Sequence, residues 1–403
     1  MLHVIGLQEA IKLSANMARR IERTETPPPE ALSGRVTAEA IVCQENVPGF
    51  RRSTMDGYAV IAADTFGAGE ANPVDLSVVG EAVMGEETTH AICSGTCLKI
   101  PTGGMLPAGA DAVIPVEYTD LDFDTCLVYR AVSPKENVTQ IGDDMRENGL
   151  LFPAGARLTP AAIGALAAAG IGQVAVVGAP NVGILSTGNE LVPANQPAAP
   201  GKVRDVNAAL LAAMCRGCGC NPRFYGIIPD DEPTLTKTLL QAAEENDLVL
   251  LSGGSSAGEK DLTAKIIGRL GEVLAHGIAM KPGKPTVIGK IGKTPVFGLP
   301  GHPAACYFVT ETVVKPCIET LSGAALPGIQ TTAVLSENVS SNHGREEFVC
   351  VRLHNGTAEP IYGKSGVISL LSAADGYLRI PRDSEGLAAG ETATIYLFNQ
   401  RNL

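Results

Sequence analysis

Residues 248–303 most constrain what this chain can fold into. They read LVLLSGGSSAGEKDLTAK, then MKPGKPTVIGK, then PVFGLPGHPAAC. Three short apolar runs lead into glycine turns, and the turns carry Asp261, Lys281 and Lys284. Apolar runs this short, interleaved with stretches of helical period, predict buried parallel strands. Ligands of open α/β sheets bind beyond the carboxyl ends of the strands. Backbone without side chains at those ends lets N–H groups approach an anion. The segment therefore predicts a phosphate-type site with its own carboxylate and two cations.

The alternation extends upstream. VGILSTGNEL is a strand opening into a turn, and Asn207 is placed to cap the helix AALLAAMCRG. RFYGIIPDD is a strand ending in two carboxylates, Pro233 starts a helix through Ala243, and Pro303 opens the helix AACYFVTETVV. Four such units predict an α/β domain with a mainly parallel sheet over residues 174–323. Residues 6–23 have apolar positions at Leu7, Ile11, Leu13, Met17 and Ile21, an amphipathic helix broken by TPPPEALSG. Residues 48–141 alternate short β-like runs with Gly, Pro and Asp turns, a β-rich domain. Thr159 caps a helix with Pro160 at its first position. Residues 1–47 and 142–173 thus make a helical linker domain. After Gly323 the helices stop, and a small β domain with an HNG hairpin turn fills 324–403.

Composition limits the partners. Net charge is −12 with no long block of like charge, so no nucleic-acid partner is expected. An anionic ligand must be held by local cations, backbone amides or a metal. The best apolar helix, Pro160–Ala169, falls well short of the roughly 20 residues of a bilayer crossing. The N-terminus lacks a basic region followed by an apolar core, so a cytoplasmic protein is expected. Cys215, Cys218 and Cys220 cluster in MCRGCGCN, either a metal or redox site or a helix end at Gly217 and Gly219. The second reading is favoured, because a zinc site would want a fourth ligand at matching spacing.

Four turns carry the chemistry: STGNE (186–190), PDD (229–231), SGGSSAGEKD (252–261) and GLPGHP (298–303). Ser252, Gly253 and Gly254 follow a strand, as do Pro300 and Gly301, while Lys281 and Lys284 can neutralise a charged ligand. Glu190, Asp230, Asp231 and Asp261 would converge at the same edge, where clustered carboxylates repel unless a cation intervenes. Beside a phosphate the natural resolution is Mg²⁺, and metal-assisted cleavage of a phosphoanhydride follows. Asp230, Asp231 and Asp261 each precede a helix and are equally placed to cap it. In the β-rich domain STMDGYAV and IPTGGMLPAGADAVIPVE stand out as turns.

Together with the GDD before FPAGARL and with IIPDDEPTL, these segments resemble the molybdopterin molybdenumtransferase family, which includes the E domain of gephyrin-like proteins. The match covers essentially the whole chain. The resemblance implies an elongated homodimer and a reaction of adenylylated molybdopterin with molybdate and Mg²⁺ that releases AMP. It places Thr187, Gly188, Glu190, Asp231, Ser252, Gly253, Gly254, Asp261, Lys281 and Lys284 in the α/β site, with Asp56, Thr102 and Asp144 facing a partner's α/β domain. Asp56, Glu190 and Asp261 are the implied metal-facing carboxylates. Transient contact with the molybdopterin adenylyltransferase and with molybdoenzymes is also implied. Two departures concern the oxyanion. The family pattern LPGNPVS is here LPGHPAA, with His302 and Ala305, and Cys350 stands where an arginine is usual. Arg345 or Arg352 is the candidate replacement, with Ser365 or Ser369 supplying hydroxyls. The competing readings are a scaffold that holds molybdopterin without turnover, and an insertase for tungstate.

Overall fold

The structure, a computed structural model, describes residues 4–253, 259–326, 328–364 and 366–398, with the backbone alone at 259–261. Its centre is a six-stranded sheet in the order Asn221–Ile228, Asn181–Thr187, Leu248–Gly253, Thr294–Pro300, Val287–Ile291 and Glu272–His276. The first four strands are parallel, Val287–Ile291 runs antiparallel to them, and Glu272–His276 pairs antiparallel with it, so the sheet is mainly parallel as expected. The middle strand shows why a continuous apolar run works here. Leu248 and Leu250 enter the core on one face, Val249 and Leu251 the core on the other, so both faces are covered. Helices Glu232–Glu245 and Glu259–Leu270 cover one face; Asn207–Gly217 and Pro303–Val309 cover the other.

The first helix is shorter than its pattern predicts. It spans Leu7–Met17 and gives way to extended backbone at Ala18. Beyond it, tertiary bonds override helical period: Ile21 N–H donates to the Leu321 carbonyl at 2.9 Å and Arg23 pairs with Asp247 at 2.7 Å. The helix packs on Lys315–Ser322, and the buried Ser14 hydroxyl donates to the Val313 carbonyl. The helix from Pro303 is interrupted by a π-helical turn at Thr310–Val314 before continuing as Lys315–Ser322. Pro316 follows that turn and has no N–H for a regular ladder, which the wider turn absorbs.

At the C-terminal end, strands Glu346–His354, Thr357–Ile361, Gln330–Leu335, Thr392–Leu397 and Gly376–Ile380 close into a barrel, because the last also pairs with the first. Asn355 (φ 49°) and Gly356 (φ 77°) form its hairpin turn, where left-handed backbone suits the strand twist. One helix, Ser369–Ala373, does occur after Gly323. Met280–Lys281 leaves the α/β unit and adds in parallel to Glu346–His354, tying the barrel to it. The N-terminal β unit is a second six-stranded sheet, in the order Ala112–Pro115, Gly57–Val60, Thr96–Ile100, Val74–Glu81, Thr125–Val128 and Thr119–Asp122. Between the units, Thr159 caps the helix Pro160–Ala168 by accepting from Ala162 N–H. Among the described residues no helix is long and apolar enough to cross a membrane.

Candidate functional site

The site lies where the sheet's winding changes direction. From Asn181–Thr187 the chain moves to one side, to Asn221–Ile228; it then crosses to Leu248–Gly253 and continues the other way to Thr294–Pro300. A crevice forms at the carboxyl ends of the two strands that part there. Those ends are Thr187 and Gly253, which face each other in register. A cavity of about 320 Å³ opens on this edge, lined by Thr187, Glu190, Asp205, Asn207, Ser252, Gly253, Gly301 and His302 together with apolar Leu191, Val203, Val206 and Pro303.

Local bonding explains its shape. Asp230 accepts from the Thr187 hydroxyl at 2.7 Å and from Asn189 N–H at 2.8 Å, while its own N–H donates to the Asn189 side chain. This clamp fixes the turn after the first strand. Gly188 there has φ +150°, a backbone conformation that side chains disfavour, and it lets the Glu190 carboxylate lie close against the turn. A short parallel pairing of Leu191–Val192 with Val203–Arg204 has Glu190 just before its start and Asp205 just past its end, and both line the cavity. Asp205 Oδ1 then accepts from Ala208 N–H at 3.1 Å and caps the Asn207–Gly217 helix. Asn207, expected as that cap, instead turns inward and donates to Ser252 Oγ at 2.7 Å and to the Gly301 carbonyl at 2.9 Å. It thereby joins two strand ends, those of Leu248–Gly253 and Thr294–Pro300. Asp205 and Asn207 line the cavity and were missed by sequence reasoning as residues of the site.

The lysines line an adjoining cavity of about 720 Å³ between the α/β unit and the barrel. Lys281, Lys284, Pro300, Gly301, His302, Ala305, Arg345, Glu347, Cys350 and Lys364 contribute to its walls. Gly301 and His302 belong to both cavities. Lys281 pairs with Glu347 at 2.5 Å. Burial pushes the Cys350 thiol up to about 11, so it stays protonated. Of the two candidate arginines, Arg345 lines this cavity; Arg352 does not, and donates to the Ala373 carbonyl instead. Ser369 starts the Ser369–Ala373 helix outside the walls. Lys364, which no pattern singled out, supplies a further cation. Gly254, Ser365 and the Asp261 side chain lie outside the described residues; the backbone puts Asp261 inside the Glu259–Leu270 helix, past its cap position.

Three expected residues stand elsewhere. Asp56 and Thr102 form a pair in the β unit, and Asp56 Oδ1 accepts from Thr102 N–H at 2.7 Å and from its hydroxyl at 2.9 Å. These bonds, the backbone one first, hold the Asp56 carboxyl below the usual aspartate range. Asp144 is exposed on the connector. None of the three lines either cavity of this chain. Asp231 caps the Glu232–Glu245 helix by accepting from Thr234 N–H at 2.9 Å, so of the PDD acids it is Asp230 that bonds the site turn. The cysteine cluster ends a helix at Gly217, with Gly219 left-handed, and burial raises Cys215 to about 12 and Cys218 to about 11. Among the described residues no group of three His, Cys, Asp or Glu side chains is placed to hold a metal.

Fold and site define a class: a multidomain chain with a cavity at the switch point of an α/β sheet flanked by a β unit and a barrel. Three family profiles match it in order: the MoeA N-terminal region (domain I and II) over residues 5–170, a probable molybdopterin binding domain over 183–320, and the MoeA C-terminal region (domain IV) over 332–398. The chain belongs to the MoeA family. It is 31% identical to the molybdopterin molybdenumtransferase of Bacillus subtilis, over 99% of this chain and 95% of that one. Crystal structures of the molybdopterin biosynthesis MoeA protein of Pyrococcus horikoshii superpose with TM-scores of 0.82 and 0.87, at 37% and 34% identity. They cover 99% and 98% of this chain and the whole of each structure.

Proposed function

We propose that this chain is a transferase of molybdenum cofactor biosynthesis that places molybdenum from molybdate on adenylylated molybdopterin, hydrolysing the adenylyl phosphoanhydride and releasing AMP. Its family and the name of its Bacillus relative support the reaction class. The observation that carries the reading is the convergence of Thr187, Ser252, Gly253 and Gly301 on one cavity at the switch point. Backbone N–H groups at such strand ends suit phosphate oxygens.

The donor set available for a cation is all oxygen, which suits a hard ion such as Mg²⁺. Within one chain it is incomplete. Glu190 lines the cavity, whereas Asp56 is in the β unit and lines neither cavity. Glu190 and Asp261 of one subunit with Asp56 of a second would hold the ion, which makes a homodimer part of this proposal. When bound, Mg²⁺ would neutralise phosphoanhydride charge and polarise the phosphorus under attack. The chain's own part is positioning. Thr102 keeps Asp56 ionised, Asp230 locks the Thr187–Asn189 turn, and Lys284, Arg345 and Lys364 present positive charge to molybdate from the larger cavity. The protein is proposed to act in the cytoplasm.

The second reading, a scaffold without turnover, draws on Cys350 and Ala305 in the wall of the larger cavity, where neither offers a charge to an oxyanion. One experiment separates them. The protein is incubated with adenylylated molybdopterin, Mg²⁺ and either molybdate or tungstate, and AMP is measured. Release that requires the metal and rises with molybdate supports the transferase; tight binding with no AMP supports the scaffold. Asp261→Asn should abolish release, and unchanged turnover refutes its role.

A further inference from the structure

The two cavities differ in charge. Lys281, Lys284, Arg345 and Lys364 all line the larger one. The smaller cavity, at the switch point, carries the carboxyl groups of Glu190 and Asp205, and among its described lining residues Arg204 is the only lysine or arginine. His302, its other basic residue, is shared with the larger cavity. Arg204 ends the strand Val203–Arg204, whose pairing with Leu191–Val192 sets it beside the cavity. Its Nε–H donates to the Gln196 carbonyl at 3.0 Å, which anchors the guanidinium to the loop between those two strands. Lys202, at the end of the same loop, donates from Nζ to the Asn189 carbonyl at 2.6 Å and so fastens the loop to the site turn. Beyond its Nε bond, Arg204 makes no hydrogen bond or ion pair among the described residues, although two carboxylates line the same cavity. The guanidinium is thus held by one nitrogen, with the other two uncommitted among the described residues. Two such nitrogens match two oxygens of one phosphate.

We infer that Arg204 is a catalytic residue of the reaction proposed above: its guanidinium holds the adenylyl phosphate and offsets the charge that grows there as the phosphoanhydride is hydrolysed. This rests on the transferase reading and on the phosphate lying at the switch point. In that step water adds its oxygen to the adenylyl phosphorus, and the bond from that phosphorus to the bridging oxygen breaks. The bridging oxygen stays on the pterin's phosphate, AMP leaves, and both protons of the water pass to solvent. A diphosphate with two negative charges becomes two monoesters with four between them. Glu190 and Asp205 alone would oppose that change in the smaller cavity; Arg204 favours it. A preorganised cation aimed at developing charge lowers the barrier more than it tightens the substrate. The side chain is exposed, so its charge is available to a ligand and the fold does not depend on its packing.

The test follows AMP release by the full chain with adenylylated molybdopterin, Mg²⁺ and molybdate, in wild type, Arg204→Gln and Arg204→Lys. Arg204→Gln should lower kcat about 100-fold and change KM less than about threefold, the pattern of a lost donor to developing charge. Arg204→Lys keeps the charge without the fork and should recover about a tenth of wild-type kcat. An unchanged kcat in Arg204→Gln overturns the inference, and so does a raised KM at constant kcat. Calorimetric titration with AMP and with adenosine supplies a second readout. Wild type should bind AMP at least about tenfold more tightly than adenosine, and Arg204→Gln should bind the two about equally. A variant that weakens both by the same factor, as a merely structural residue would, overturns the inference. Equal binding of AMP and adenosine by wild type overturns it even if the variants fail to fold. If wild type releases no AMP, the transferase reading falls and the catalytic role with it, while a preference for AMP that Arg204→Gln abolishes keeps Arg204 as the phosphate ligand. If wild type and Arg204→Gln release AMP equally, only this inference falls.

Discussion

The chain carries two acidic turns at opposite extremes of satisfaction. In the β unit, Asp56 is at the surface, and one of its oxygens already accepts two hydrogen bonds from Thr102. In the α/β unit, Asp205 is buried, with one oxygen used and the other without a donor among the described residues. Water solvates the first carboxylate fully, so its bonds to Thr102 serve to orient it and keep it ionised. The second has exchanged water for the protein interior, where an acceptor without a donor is costly. An oriented, ionised, exposed carboxylate suits a cation shared with another surface. A buried one, capping Ala208 N–H, suits holding the backbone of the cavity wall in place. The same residue type thus does different work according to what surrounds it.

The comparison requires that the two turns stand on separate supports, and the largest predicted effects test this. Phe297 lies fully buried in the strand beside Leu248–Gly253, within the core behind the smaller cavity. Phe297→Ala should cost about 3–5 kcal/mol by denaturant titration and weaken pterin binding. It should leave the Asp56 titration in folded protein unchanged. Ile114→Ala, in the separate core of the β unit, should cost about 2–5 kcal/mol and leave pterin affinity intact. If both variants disturb both turns equally, the units are not independent and the contrast fails.

The next effect separates the neighbours Asp230 and Asp231. Asp230→Ala removes the acceptor for the Thr187 hydroxyl and Asn189 N–H, so the turn beside Ser252 loosens. AMP release should fall about 10- to 100-fold, as misplacement without loss of a reacting group does. Asp231→Ala removes one helix cap, which costs about 1 kcal/mol and should leave AMP release unchanged. Reversed outcomes would restore Asp231 to the site and make Asp230 a structural residue.

The sheet was readable because its signals are local. A short apolar run between glycine turns can be little else than a buried strand, and Thr159–Pro160 and the Asn355–Gly356 hairpin carry their geometry in the residue types themselves. What escaped depends on distant pairing. The DVN before an apolar helix reads as a capping sequence, and only the pairing of Leu191–Val192 with Val203–Arg204 draws Asp205 down and turns Asn207 toward Ser252. Lys281 was expected beside Ser252, but Met280–Lys281 joins the barrel strand and carries it to the larger cavity. Lys364 comes from the barrel side of that cavity, and no local pattern announces such a neighbour. The end of the first helix is likewise set by bonds to Leu321 and Asp247 that its own period cannot foresee.

The smallest effect concerns Asp56 itself. Its carboxyl is depressed first by the Thr102 N–H and then by the Thr102 hydroxyl. Thr102→Val keeps the backbone donor and removes the hydroxyl, so the carboxyl should titrate at higher pH than in wild type but still below an unperturbed aspartate. Carbon-detected NMR titration of Asp56 checks this. The sign for stability follows from the depression. A carboxyl lowered in the folded state contributes stability above its unfolded value, and that contribution is lost as pH falls through the folded one. Wild type and Thr102→Val should therefore differ slightly near neutral pH and converge in acid once Asp56 is protonated in both. For so exposed a group the difference is small, and salt should reduce it further. A midpoint unmoved by the substitution would mean that the hydroxyl does not hold the carboxylate. Asp56 would then be an ordinary surface acid, and half of the contrast with Asp205 would be gone.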